Sequence, residues 1–142
     1  MTLAAEPIHT FLLDLGIAKL TGDWQAFISF LPDSPNNAIV VYDTAGKVDG
    51  RIMKTGERIT HPGIQIGIRG ANYSALVLKV LEIAEALDNA KRTLIAVDSE
   101  TTYILHNASR TGDIIPVGVE EVGDRRRHLF TINATITIEE GV

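Results

Sequence analysis

Gly63-Ile64-Gln65-Ile66-Gly67-Ile68-Arg69-Gly70-Ala71-Asn72-Tyr73-Ser74-Ala75-Leu76-Val77-Leu78-Lys79-Val80-Leu81 is the stretch in which the chain passes from the period of a strand to that of a helix. Ile64, Ile66 and Ile68 alternate with Gln65, Gly67 and Arg69, the pattern of a strand with one buried face. Gly70 interrupts it, and Asn72 or Ser74 offers a side-chain oxygen to cap the next helix. Over residues 71–88, Tyr73, Leu76, Val77, Val80, Leu81, Ala84 and Leu87 share one helical face, with Lys79, Glu82 and Glu85 elsewhere. Leu78 falls on the polar side, where a lone protomer favours a charge.

Upstream, Pro7 suits a first helical position, and Ile8, Phe11, Leu12 and Leu15 form an apolar stripe over residues 6–15. Leu13 points off that stripe, and Gly16 is placed to end the helix as a left-handed cap. Residues 24–31 read as a strand. They run into the turn Pro32-Asp33-Ser34-Pro35-Asn36-Asn37, where proline fixes φ and Asp and Asn bond their own backbone. Ala38-Ile39-Val40-Val41-Tyr42 suits a strand buried on both faces. Residues 44–62, with Gly46, Gly50 and Gly56 among charges, read as a long loop.

Downstream, residues 94–97 and 102–106 read as strands around Asp98-Ser99-Glu100, and residues 114–117 as a strand weakened by Pro116. Residues 120–127 read as a charged loop. Residues 128–138 have the cleanest alternation, with Phe130, Ile132, Ala134, Ile136 and Ile138 facing inward and Thr131, Asn133, Thr135 and Thr137 outward. The expected fold is α+β: one domain over residues 1–142, with a mixed, mostly antiparallel sheet and both helices on one face. The other face is left polar, or available to a neighbouring subunit.

Composition narrows the function. The 142 residues carry a net charge of -5, which argues against tight phosphate binding. With no cysteine, thiolate zinc sites and cysteine nucleophiles are excluded. No stretch approaches the roughly 20 apolar residues of a membrane span, and the N-terminus lacks a basic signal start, so a soluble cytoplasmic product is expected. His9, His61, His106 and His128 show no metal-ligand spacing. Gly63, Gly67 and Gly70 are wrongly spaced for a dinucleotide loop, and neither a phosphate loop nor a Gly-x-Ser-x-Gly elbow occurs. Arg125-Arg126-Arg127 is the one basic cluster; it reads as ion-paired with Glu120, Glu121 or Asp124 close by, or with a neighbouring subunit, ahead of a contact with phosphate.

Three segments in order carry a resemblance. They are Phe30-Leu31-Pro32-Asp33-Ser34-Pro35-Asn36-Asn37-Ala38-Ile39-Val40-Val41-Tyr42-Asp43, Pro62 to Gly70 with Tyr73 and the long helix after it, and Gly118-x-Glu120-Glu121-x-Gly123-x-Arg125 leading to Phe130-Thr131-Ile132-Asn133. Together they resemble the tail terminator, or minor capsid, family of siphophages over about residues 10–138. Glu120 and the triple arginine depart from the pattern. The resemblance implies a homo-oligomeric ring, six-fold, in the virion at the head-proximal end of the tail and assembled in host cytoplasm. Such a ring caps the tail tube, stops its polymerisation, docks the head-tail connector and lets DNA through its lumen. It implies no catalytic residue, cofactor or metal. Within it, Leu13, Leu78, Arg69, Glu120 and Arg125 are candidate subunit-interface residues, Arg69 also as a strand-end anchor through an ion pair. Lys47, Arg51, Lys54 and Arg58 form the candidate tube or connector contact. A head-completion or connector protein is the alternative, and a small metal enzyme built on His61, His106 and a carboxylate is a third reading.

Overall fold

A computed structural model describes residues 3–47, 59–123 and 125–140, with the side chains of Lys47, Val122 and Arg125 outside that description. In chain order the elements are α1 (Ala5–Asp14), β1 (Gln25–Ile28), β2 (Ala38–Lys47), β3 (Ile59–Gly70), α2 (Tyr73–Asp88), β4 (Thr93–Ala96), β5 (Thr102–Arg110), β6 (Ile115–Val122) and β7 (Arg125–Glu140). The strands join one sheet in the order β1-β2-β3-β7-β5-β4, with β6 also paired to β7. Only β1 and β2 run parallel among these named strands; every other pair is antiparallel. The fold is thus the α+β arrangement expected from the sequence.

Strand β7 is the spine. One of its edges is taken by β3; the other is divided, with β6 on residues 125–131 and β5 on residues 134–140. The sheet therefore has two unlike halves. In one half the order is β1-β2-β3-β7-β6, and in the other β2-β3-β7-β5-β4.

Both helices cover one face. Ile39 and Val41 of β2, Ile64, Ile66 and Ile68 of β3, and Ile132, Ala134, Ile136 and Ile138 of β7 join Ile8, Phe11 and Leu12 of α1 and Leu76, Val80, Ile83, Ala84 and Leu87 of α2 in a single buried cluster. Each of the larger side chains contributes about 1.5–3 kcal/mol by leaving water. Asn72 caps α2 through its Oδ1, which accepts from the Ala75 N–H at 3.1 Å. Helix α1 ends as its glycine requires. Gly16 has φ 75°, its N–H donates to the Leu13 carbonyl at 3.0 Å, and the Ile17 N–H reaches the Leu12 carbonyl at 3.2 Å. That reciprocal pair closes the helix end, and a side chain at Gly16 would be strained whatever the space around it.

Several expectations are corrected. The loop expected over residues 44–62 is shortened, because β2 continues to Lys47 past a register shift and β3 begins at Ile59. The charged loop expected over residues 120–127 is a hairpin. There Gly123 takes φ 61°, and Glu120 and Glu121 lie opposite Arg127 and Arg126. Oppositely charged residues directly across from each other support a strand pair that propensity alone disfavours. Strand β1 is only four residues long, bounded by the positive φ of Trp24 and Ser29. On α2, Tyr73 and Leu81 are exposed rather than buried, and Ile83 takes a core position outside the expected apolar face. Leu15 is likewise exposed at the end of α1. Strand β3 is buried on both faces from Ile66 to Gly70 rather than on one, because the far side of the sheet is also covered.

Candidate functional site

The cover on the far side is the connection between β1 and β2. Its residues 33–36 cross the sheet face opposite the helices, held there by two arginines. Arg69 of β3 is 2% exposed; its Nη2 donates to the Pro35 carbonyl at 2.5 Å and its Nε to the Asn36 carbonyl at 3.3 Å. Arg127 of β7 is 1% exposed; its Nη1 donates to the Asp33 carbonyl at 2.6 Å and its Nη2 to the Asp33 carboxylate at 2.9 Å. The same Nη2 makes a very short contact with the Glu120 carboxylate. Beneath this strap lies a hollow of about 360 Å³ walled by Leu31, Val40, Tyr42, Leu129 and the two arginines.

Burial is the largest influence on the Arg127 guanidinium and opposes its charge, but the bonds from Glu120 and Asp33 outweigh it and hold its pKa above the ordinary value. Its Nε is buried with no hydrogen-bond acceptor among the described residues. This cluster joins three pieces of chain: the strap after β1, the root of β7 and the neighbouring strand β6. Only the arginine of this triad is buried, the two carboxylates being partly exposed; such a pairing is a weak source of net stability, and its better-attested use is to fix one arrangement of elements.

The cluster also places two arginines of the run. Arg126 pairs with Glu121 at 3.0 Å, both largely exposed, and Arg127 pairs with Glu120 and Asp33. For these two the ion-pair reading of the sequence holds. Arg125 lies in β7, and its side chain is outside the described residues. Lys47 ends β2, whereas Arg51, Lys54 and Arg58 lie outside the described residues, so the proposed contact loop is not placed. Glu120, a candidate interface residue, is committed within the protomer to Arg127. Arg69 anchors the strand end with hydrogen bonds to two carbonyls, and its burial removes it from the protomer surface. Leu13 is half-buried against the core rather than projecting freely. Leu78 is 70% exposed, as its place on the polar side of α2 implied.

Three of the histidines bond to separate partners. His61 Nδ1 lies 3.0 Å from Thr137 Oγ1, His106 Nε2 2.9 Å from Glu139 Oε2, and His9 Nε2 3.2 Å from the Ala26 carbonyl. His61 and His106 thus flank β7 from its two sides, at Thr137 and Glu139, but no group of three metal-ligating side chains gathers among the described residues. A wide hollow of about 610 Å³ along residues 107–113 contains Arg110, whose guanidinium is engaged by both Asp88 oxygens at 2.8 and 2.9 Å.

The surface also presents apolar side chains. Beyond Leu78, exposed large hydrophobic side chains include Leu20, Ile28 and Phe30 around β1, Leu81 on α2, and Ile115, Val117 and Val119 on β6. Tyr73, also exposed, sets its ring 5.3 Å from that of His128 and 6.2 Å from that of Phe130, against the root of the β6–β7 hairpin. The β6 residues escape a sequence reading that takes this stretch as a poor strand followed by a loop. Among the described helices none is long and apolar enough to cross a membrane.

Comparison with known proteins gives one family: the one described as "Bacteriophage tail terminator protein" matches residues 11–140. No curated protein matches the chain.

Proposed function

The chain belongs to the bacteriophage tail terminator family, and from that premise we propose that it is a ring-forming structural subunit that caps the tail tube, stops its polymerisation and offers the surface to which the head connector docks. The family is a structural one, a component of the virion tail, and its members' work is association with other tail parts. The observation that carries the finer reading is the exposed apolar surface. A protomer that leaves Phe30, Leu78, Val117 and Val119 in water on separate elements has more than one patch to bury. Unlike patches on one subunit generate heterologous contacts, and such contacts close into rings when the rotation between subunits allows.

In this reading Leu78 lies at or near a subunit contact, and the arginines serve architecture rather than nucleic acid. Arg69 and Arg127 are buried and Arg126 and Arg110 are matched by carboxylates, which, with the net charge of -5, supports a lumen that passes DNA without gripping it. The work is done by affinity and geometry, with no reaction at any residue. Deletion of the gene in its phage, with electron microscopy of the particles, tests this. The proposal expects tails of irregular length unattached to heads. Normal tails joined to heads, or normal tails beside empty or leaking heads, would count against it, the latter outcome favouring a connector role.

A further inference from the structure

We propose that the hollow beneath the strap seats an apolar ridge of a second copy, the Leu78 and Leu81 pair on the outer side of α2. This rests on the ring reading and names two surfaces that would meet in the ring.

The two surfaces lie on opposite sides of one protomer. Val40, Tyr42 and Gly67 line the hollow and alternate along β2 and β3 with Ile39, Val41, Ile66 and Ile68, which pack under the helices. The hollow therefore opens on the sheet face that the helices leave uncovered. Helix α2 packs on the other face through Leu76, Val80, Ile83, Ala84 and Leu87, so Leu78 and Leu81, 70% and 52% exposed, point away from the sheet. A contact between ridge and hollow joins the back of one copy to the front of the next. It is head-to-tail, has no two-fold symmetry, and closes into a ring when the rotation allows.

Charge suits this occupant. The hollow has apolar walls in Leu31, Val40, Tyr42 and Leu129, with Val117, 56% exposed, also lining it. Arg127 is matched there by Asp33 and Glu120, and Arg69 donates to the Pro35 and Asn36 carbonyls. The ridge is matched too: Lys79, between the leucines, lies 3.3 Å from the Glu82 carboxylate and donates to the Ile17 carbonyl at 3.0 Å. Seating leucines in the hollow strands no charge away from its partner, and it takes exposed apolar surface of both copies out of water.

The other exposed apolar side chains fit less well. Leu94 alternates with the buried Ile95 and so shares the hollow's own face of the sheet. Ile28, Phe30, Ile115 and Val119 belong to β6 and the β1 side, in the hollow's own half. Leu15 and Leu20 lie beyond the end of α1. Only α2 sets two leucines three residues apart on a helix, the spacing with which a helix enters a groove. The strap, held by Arg69 and Arg127, fixes the hollow's wall in advance, so little is left to order on contact.

The unsubstituted chain has no cysteine, so a thiol cross-linker reads only what is introduced. Leu78→Cys and Val117→Cys are made separately, both at positions more than half exposed, and each is checked for native circular dichroism and melting. Each variant alone and an equimolar mixture are treated with a short bismaleimide, under conditions in which the unsubstituted protein forms rings, alone or on tail tubes. The expected result is a cross-linked dimer in the mixture, containing one chain of each variant, and none from either variant alone. Dimers of one variant with itself, or no cross-link in the mixture while rings persist, would overturn the seat while leaving the ring reading in place. Failure of the unsubstituted protein to form any closed assembly, even on tail tubes, would remove the ring reading and the seat with it.

Discussion

Placing a carboxylate at two neighbouring positions of α2 separates surface from core. Val80 is 2% exposed and packs in the central cluster; Leu78, two residues away, is 70% exposed. Val80→Glu forfeits about 1.5–3 kcal/mol of apolar burial and adds the penalty of a buried, unpaired carboxylate, several kcal/mol more. Against a total stability of about 5–15 kcal/mol for a domain, that leaves little or no folded protein. Leu78→Glu gives up only the buried third of one leucine, about 0.5–0.9 kcal/mol, which lowers Tm by roughly 2–4 °C in a chain of this length. Thermal melting by circular dichroism reads both, and native mass reads assembly. The expected result is an unfolded Val80 variant and a folded Leu78 variant with weakened rings. A Leu78 variant that unfolds, or a Val80 variant that melts like the parent, would refute the placement of α2's buried face.

Particular contacts give further outcomes. Asn72→Ala removes the side-chain cap of α2 and should cost about 0.5–2 kcal/mol in urea unfolding; no measurable change would mean the bond to Ala75 has no weight. The Arg127 cluster should respond asymmetrically. Arg127→Met should change stability by less than about 1 kcal/mol, whereas Asp33→Ala with Glu120→Ala strips a buried charge of both carboxylates and leaves it the Asp33 backbone carbonyl. That loss, commonly about 3–5 kcal/mol, is discounted here to about 2 kcal/mol because the two carboxylates are partly solvated; equal effects from the two variants would contradict the reading. Asp98 accepts the backbone N–H groups of Glu100 and Thr101 at 2.8 and 2.7 Å, which hold its pKa below the ordinary 3.8. Since its folded pKa is depressed, its contribution to stability is present above 3.8 and fades as pH falls through the folded value. A titration by NMR that places Asp98 at or above 3.8 would dismiss the turn as drawn.

How much of this is visible in the sequence depends on whether one period dominates locally. The passage from β3 to α2, the inward row of β7 and the stop at Gly16 are legible because alternation, helical spacing and a left-handed glycine each leave an unambiguous mark. The β6–β7 hairpin is not. Glu120, Glu121 and the three arginines have weak strand propensity one by one, and their support comes from facing one another across the pair. The strap is half legible: prolines, Asp33 and the asparagines announce a turn, but nothing local says that it crosses the open face to meet Arg69 and Arg127, 33 or more residues away in sequence. That long-range contact buries β3 on both sides and takes Arg69 off the surface. On α2 the helical pattern draws the apolar face too broadly, since the sheet covers Leu76, Val80, Ile83, Ala84 and Leu87 and leaves Leu81 outside. The exposed apolar side chains of β6, Ile115, Val117 and Val119, are lost with the hairpin.

Association of this chain with itself at the end of a tail tube is the central claim. Native mass spectrometry of the purified protein over a range of concentrations, alone and with isolated tail tubes, measures it most directly. The prediction is one closed oligomer, stable to dilution once tubes are present and bound at a single end. A protein that stays monomeric with tubes at every concentration, or that coats the tube along its length, would contradict it.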